Sequence, residues 1–338
     1  MTIPYRTQQI LKRSLLALLV IAVLLAVISC IWFIFLQRYV IYDRDAGIRL
    51  DFSLESIPQG NVVEQPEAQP SIPIDYLTEE DLQGASEELT QLIGYYIEQD
   101  ALSDIATVKA QLAELPAGTP VLVDVKNIYG DFFYSSNVCS QRPSNMDIAA
   151  MDDLINYLSQ QRLYAIARLP ALRDYYYGLN HVSNGLPVAG GYLWADEFYC
   201  YWLDPTKEGT ITYLTQIITE LKSLGFDEVV FDDFRFPPTD QILFSQDKTQ
   251  ALADAANTLV STCATESFAV SFIGENATFS LPEGRSRLYL LGVDAAQATN
   301  AAQQTTVADT AINLVFLTDV HDTRFDVYGV LRPLSAAH

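Results

Sequence analysis

The sequence is poor in positive charge, in histidine and in cysteine. Its 338 residues hold 20 Lys and Arg against 42 Asp and Glu, a formal net charge of −22. A surface of that sign repels phosphate backbones and argues against nucleic-acid binding. The three histidines, His181, His321 and His338, stand far apart, and the four cysteines never occur in closely spaced pairs. Neither a zinc knuckle nor a redox motif can be drawn from them, so no metal and no cofactor is expected. There is no G-x-S-x-G elbow to mark acyl-transfer chemistry. Nor does a glycine-rich loop follow a first strand, which leaves a doubly wound dinucleotide-binding sheet without support.

One long hydrophobic run is present. Residues 15–36 are apolar apart from Ser29 and follow Lys12 and Arg13. The run matches the roughly 20 residues a helix needs to cross a bilayer, and it exceeds the ~7–15-residue core of a cleaved signal peptide. Residues 1–42 are therefore expected to form a cytoplasmic tail and a transmembrane signal anchor. Arg38, Arg44 and Arg49 follow the run as Arg6, Lys12 and Arg13 precede it, so orientation rests on the short amino-terminal tail staying inside. This places the protein in the cell membrane, single-pass, with an extracytoplasmic carboxy-terminal domain. Residues 43–74 scatter Pro58, Pro66, Pro70 and Pro73 among Gln, Glu, Ser and Asn, the composition of a flexible stalk. In an oxidising space one disulfide among Cys139, Cys200 and Cys263 can form, and Cys139 with Cys200 is the pairing considered.

The folded part, residues 75–338, has a length that suits one α/β barrel. Strand-like runs at 94–97, 120–126, 164–168, 227–234, 268–273, 288–291 and 312–317 alternate with amphipathic stretches at 103–115, 147–161, 206–224 and 247–265. In the third of these stretches Ile211, Leu214, Ile217, Ile218, Leu221 and Leu224 recur at helical spacing, and Gly225 ends it. Strand, helix and strand in succession predict parallel pairing. The fold class expected is a (β/α)8 TIM barrel preceded by the transmembrane helix and the stalk.

Chemistry is expected where strands end, because the inward residue at the carboxy-terminal end of a barrel strand lies on the catalytic face. In residues 225–238, GFDEVVFDDFRFPP, side chains alternate with a period of two, so Glu228, Val230 and Asp232 share the inward face. Asp233 is expected to point the other way. Asp232 takes the mouth position, and Arg235 follows it in the loop. Asp124 and Lys126 end one earlier strand and Arg168 another. Asp204 precedes Pro205 and suits either a ligand contact or a helix N-cap. Tyr192, Trp194, Phe198, Tyr199, Tyr201 and Trp202 crowd the segment before the third helix, and two or three of them are expected to line a groove as flat platforms for sugar rings.

Residues 202–237, WLDPTKEGTITYLTQIITELKSLGFDEVVFDDFRFP, resemble without a gap the signature of the bacterial putative glycosyl hydrolase domains, whose strand reads GFDEIQFDYVRFP. Residues 123–136 resemble that family's second strand and residues 166–174 its third. Asp233 stands where the family has tyrosine, and Asn127-Ile128-Tyr129 replaces the family's acidic residues after the lysine. The resemblance implies a TIM barrel that binds a polysaccharide or oligosaccharide and hydrolyses it with two carboxyl groups. Asp232 would be the nucleophile, with Arg168 or Arg235 keeping it ionised, and Glu275 the first-ranked acid. Asp124, Lys126, Arg168, Trp194, Trp202, Asp204 and Arg235 would contact substrate. The rival expectation is a barrel that binds carbohydrate or serves as an envelope scaffold without catalysis.

Overall fold

The computed structural model describes residues 40–43, 47–50, 89–274 and 280–337. The chain divides into two compact units, residues 1–68 and 69–338. In the first, Val40–Asp43 pairs antiparallel with Gly47–Leu50, across the boundary expected between anchor and stalk. The span expected at residues 15–36 and most of the stalk lie outside the described residues. Among the described residues no helix is long and apolar enough to cross a membrane.

The second unit is a closed barrel of parallel strands: β1 Ile93–Tyr96, β2 Pro120–Asp124, β3 Tyr164–Pro170, β4 Glu228–Asp232, β5 Ala269–Ile273, β6 Leu288–Leu291, β7 Leu314–Leu317 and β8 Gly329–Pro333. Each pairs with the next, and β8 returns to β1 through Val330 opposite Ile93. The intervening helices are α1 Ile105–Leu112, α2 Ile148–Gln160, α3 Tyr175–Asn180, α4 Glu208–Ser223, α5 Lys248–Cys263 and α6 Ala298–Gln304. The expected α/β barrel of eight parallel strands is therefore observed, although among the described residues no α-helix joins β5 to β6 and only the short 3-10 turn Thr323–Phe325 joins β7 to β8. The strand β8, which carries Arg332 and ends in Pro333, and the helices α3 and α6, each under two turns, were not anticipated.

Alternation divides the strands as the sequence implied. Val121, Val123, Val229, Phe231, Val270 and Phe272 face outward and pack on Leu154, Leu158, Leu214, Ile217, Leu221 and Leu259 of the surrounding helices. Leu122, Ile166, Val230, Tyr289, Val315 and Leu331 fill the barrel interior. Gly94 is required where β1 crosses the start of β2, since a Cβ there would fall 2.1 Å from the Pro120 carbonyl oxygen. Gly225 closes α4 at φ +86°, a conformation that costs glycine nothing.

A buried polar network closes the amino-terminal floor of the barrel. Glu228 is fully buried. One of its oxygens accepts from the Tyr164 hydroxyl at 2.9 Å and ion-pairs with Arg287. The other accepts from the Ser271 and Tyr289 hydroxyls at 2.5 and 2.9 Å. Arg287 spends further donors on the Ile312 and Thr90 carbonyls. Burial by itself would lower the Arg287 guanidinium, but Glu228 and the two phenols outweigh it and hold it above its ordinary value. Next to this floor, Asp227 accepts from the Ala165 amide at 2.8 Å. Burial pushes its carboxyl up to about 7, and the neighbouring charge of Glu228 adds to the effect.

Arg287→Met would leave Glu228 buried without its counter-charge and should cost about 3–5 kcal/mol in urea unfolding; a loss under 1 kcal/mol would show that the network is dispensable. Asp227 has the opposite pH sign from a paired carboxylate. Its native pKa lies above the unfolded one, so the stability it affects is full below about pH 4 and declines as pH rises towards about 7. Asp227→Asn should flatten that decline and gain at most about 4 kcal/mol at pH 8, checked by melting curves of both proteins from pH 4 to pH 8.

Candidate active site at the barrel mouth

At the carboxy-terminal face, β2, β3 and β4 bring Asp124, Arg168 and Asp232 together. Asp124 stands opposite Arg168 in the ladder, and Asp232 opposite Pro170, one inward position higher. Arg168 donates a two-pronged pair to Asp124, Nε to Oδ1 at 2.6 Å and Nη2 to Oδ2 at 2.9 Å. Burial alone would lower this guanidinium; the bond and charge of Asp124, then the charge of Asp232, reverse that and raise it. Asp232 accepts from the Asp233 amide at 2.7 Å and enters no ion pair among the described residues. It is thus held by backbone and placed beside a fixed positive charge.

Across the mouth, Tyr96 ends β1. Burial, then the charges of Glu98 and Asp319, push its phenol up, while Arg168 opposes them. Two further carboxylates from the β1 and β7 ends therefore act on the same ring that Arg168 acts on. Glu98 and Asp319 were not singled out from the sequence, because neither sits within a regular alternating run; the only available signal was their place just past an apolar strand.

Lys126 lies one step beyond Asp124 and is buried. It forms a 2.8 Å ion pair with Asp174, both side chains fully shielded. Asp174 also accepts from the Tyr213 hydroxyl at 2.9 Å and caps α3 through the Tyr177 amide at 2.8 Å. Gly130 makes room for it, since a Cβ there would meet the Asp174 carboxylate at 2.7 Å. Lys126 thus ties the loop after β2 to the loop after β3. Glu220 of α4 anchors the same β2 loop from below, accepting from the Tyr134 and Ser136 hydroxyls at 2.9 and 2.6 Å and from the Asn137 amide at 2.5 Å.

The segment between β3 and α4 forms a small arm. Bridges Arg173 to Trp202, Gly185 to Leu203, Pro187 to Leu193 and Ala195 to Tyr201 fold it on itself. Leu186, Trp202 and Ile242 make its core, with Trp194, Phe236 and Phe244 against them. Trp202 is buried, its indole donating to Asp196 at 3.1 Å and its ring lying 5.7 Å from Arg173 and 5.1 Å from Arg235. Arg173 bonds Asp196 at 2.5 Å and reaches Asp233 at 3.7 Å, while Arg235 reaches Asp233 at 3.3 Å. Trp194 meets Trp202 edge-on at 6.2 Å and is half-buried.

Asp233 does not continue the strand. Its φ of +48° turns the chain, so the carboxylate expected to face the helices instead joins the two arginines at the rim. Asp204 is buried within its own turn, accepting from the Thr206 amide and hydroxyl at 2.9 and 2.7 Å. Glu275 lies outside the described residues. The disulfide considered between Cys139 and Cys200 is not formed: both are free thiols, as is Cys263. Burial raises the Cys200 thiol to about 11. Arg173 and Asp196 organise the arm; Arg173 was visible only as the second arginine of residues 166–174 and had no strand periodicity to place it.

Residues 106–271 match the family model described as "Putative glycosyl hydrolase domain". The resemblance read from residues 123–136, 166–174 and 202–237 is borne out by this match. No curated protein matches the sequence. Among solved structures, a hypothetical protein from Ruminiclostridium thermocellum is 19% identical over 53% of this chain and 96% of its own, at a TM-score of 0.45. The glycoside hydrolase domain of PelA from Pseudomonas aeruginosa is 14% identical over 73% of this chain and 96% of its own, at 0.41. The GH20 exo-β-N-acetylglucosaminidase from Vibrio harveyi, in complex with N-acetylglucosamine, is 10% identical over 68% of this chain and 41% of its own, at 0.45.

The two ion pairs of this face should separate in a stability measurement. Lys126→Met leaves the fully shielded Asp174 uncompensated and should cost about 3–5 kcal/mol. Asp124→Asn disturbs a partly solvated pair and should cost about 1 kcal/mol. Equal losses in denaturant unfolding would contradict the division between a structural and a mouth-facing pair.

Proposed function

We propose that this chain, with a glycosyl hydrolase family match across residues 106–271, is a membrane-anchored, extracytoplasmic glycoside hydrolase acting on a polysaccharide. The observation that carries the reading is Asp232: an inward carboxylate at the end of β4, half-buried, outside any described ion pair and within the field of Arg168. That is what a nucleophile needs, a carboxylate at the mouth that no ion-pair partner has consumed. Asp124 and Asp233 are less suited, since arginines already engage them.

In this mechanism Asp232 attacks the anomeric carbon as the glycosidic C–O bond breaks. A second carboxyl group gives its proton to the departing oxygen, and water then releases the sugar from Asp232. Glu275 supplies the second group: it follows Ile273, the last residue of β5, and β5 is the strand paired with β4. Arg168, fixed by Asp124, orients substrate oxygens and places a positive charge near Asp232. Membrane attachment comes from residues 15–36, and the acidic surface suits a neutral or cationic glycan.

A non-catalytic carbohydrate-binding barrel is the second reading, favoured by how many mouth carboxylates are engaged by arginine. The two separate in one experiment. Asp232→Asn should lower release of reducing ends from a polysaccharide panel by at least about 10³-fold, with melting temperature and glycan binding kept. Glu275→Gln should slow cleavage most for poor leaving groups. Wild-type protein that binds a glycan and releases nothing from it would establish the binding reading instead.

A further inference from the structure

We infer that the turn at residues 195–201 is a carbohydrate platform that carries the polymer past the mouth, an inference resting on the hydrolase reading for the class of its ligand. Tyr199 is the residue that makes the turn unusual. Its φ is +60° and its side chain is 79% exposed. A left-handed backbone strains any side chain, and glycine would occupy the position freely. An exposed aromatic ring gains no burial that would offset this, so folding gives no reason for tyrosine there.

The turn is nevertheless built with care. The Asp196 carboxylate accepts from the Phe198 and Cys200 amides at 2.9 and 3.0 Å. The Tyr199 amide donates to the Asp196 carbonyl at 2.9 Å, and the Asp196 amide to the Cys200 carbonyl at 3.0 Å. Cys200 is buried behind them. Hydrogen bonds from Cys200, Trp202 and Phe198, with the charge of Arg173, outweigh burial and bring the Asp196 carboxyl below its ordinary range. The result is a rigid loop that thrusts Phe198 and Tyr199 outward together. Phe198 is 49% exposed, and its ring stands 5.0 Å from the Arg173 guanidinium.

That guanidinium connects the turn to the mouth. Arg173 reaches Asp233, and Asp233 directly follows Asp232. Phe198 thus stands on the same guanidinium that reaches the residue after Asp232, and Tyr199 is its neighbour in the turn. Tyr192, 74% exposed beyond Gly190 and Gly191 at φ +91° and +82°, projects from the neighbouring turn of the same arm. Exposed aromatic faces on an arm tied by Arg173 to the polar mouth fit the C–H faces of a sugar chain. The net charge of −22 opposes an anionic lipid surface as the alternative occupant.

Affinity electrophoresis of the full chain in mild detergent, through gels holding glycol chitin, mixed-linkage β-glucan, xylan or hyaluronan, tests this. Wild type should be retarded by at least one polymer. Phe198→Ala with Tyr199→Gly should weaken that retardation at least tenfold, while Tyr199→Phe keeps it. The double variant should also melt no lower than wild type, since glycine relieves the backbone. Equal retardation of wild type and double variant, retardation of neither, or ring-dependent binding to phosphatidylglycerol vesicles without any glycan retardation would each overturn the inference. Ring-dependent retardation without release of reducing ends by wild type would remove the hydrolase reading and leave the platform standing.

Discussion

The neutralisation of one buried carboxylate governs the rest of the barrel. Glu228 sits at the floor, where an unpaired charge would cost several kcal/mol. It is satisfied only if Tyr164 of β3, Ser271 of β5, Arg287 just before β6 and Tyr289 of β6 all converge on it. That requirement fixes β4 in register with its neighbours. Fixing Glu228 also fixes Asp232 four residues on, because the strand between them is regular and buried. The chemical end of β4 is aimed by its structural end.

The mouth is built on a different principle. Its charges come from loops and strand tips, and they are held by arginines more than by burial. Arg168 fastens Asp124 inside the ring of strands, while Arg173 and Arg235 fasten Asp233 and, through Asp196, the aromatic arm. Two arginines face Trp202 as well. An acidic chain has thus concentrated scarce positive charge at the face where substrate would enter. Asp232 benefits from this arrangement without being locked into it.

Much of this was legible in the sequence wherever a period could be counted. The alternation in residues 227–234 placed Glu228 and Asp232 inward, and the helical spacing from Ile211 to Leu224 located α4 with its glycine stop. Strand β8, which carries Arg332 and ends in Pro333, escaped notice, as did α3 and α6, each under two turns. The site was legible only in part. Asp124, Arg168 and Asp232 are strand residues and obey alternation. Asp196, Arg173 and Asp233 take their places from turns and long-range ion pairs, which leave no local pattern. The aromatic crowding at residues 192–202 was visible, but not its division into a buried Trp202 and outward-turned Phe198 and Tyr199.

Closure of the barrel joins β1 to β8, and at this seam the Gln91 side chain donates to the Tyr328 carbonyl, 237 residues along the chain. Contacts so distant in sequence form late, since the loop they close must first be gathered in. Until the final strand arrives, β1 and β7 present unpaired edges. Synthesis therefore leaves the barrel open to mispairing until β8 has emerged. The edges of β1 and β7, sealed only by β8, are thus where mispairing with another chain would start.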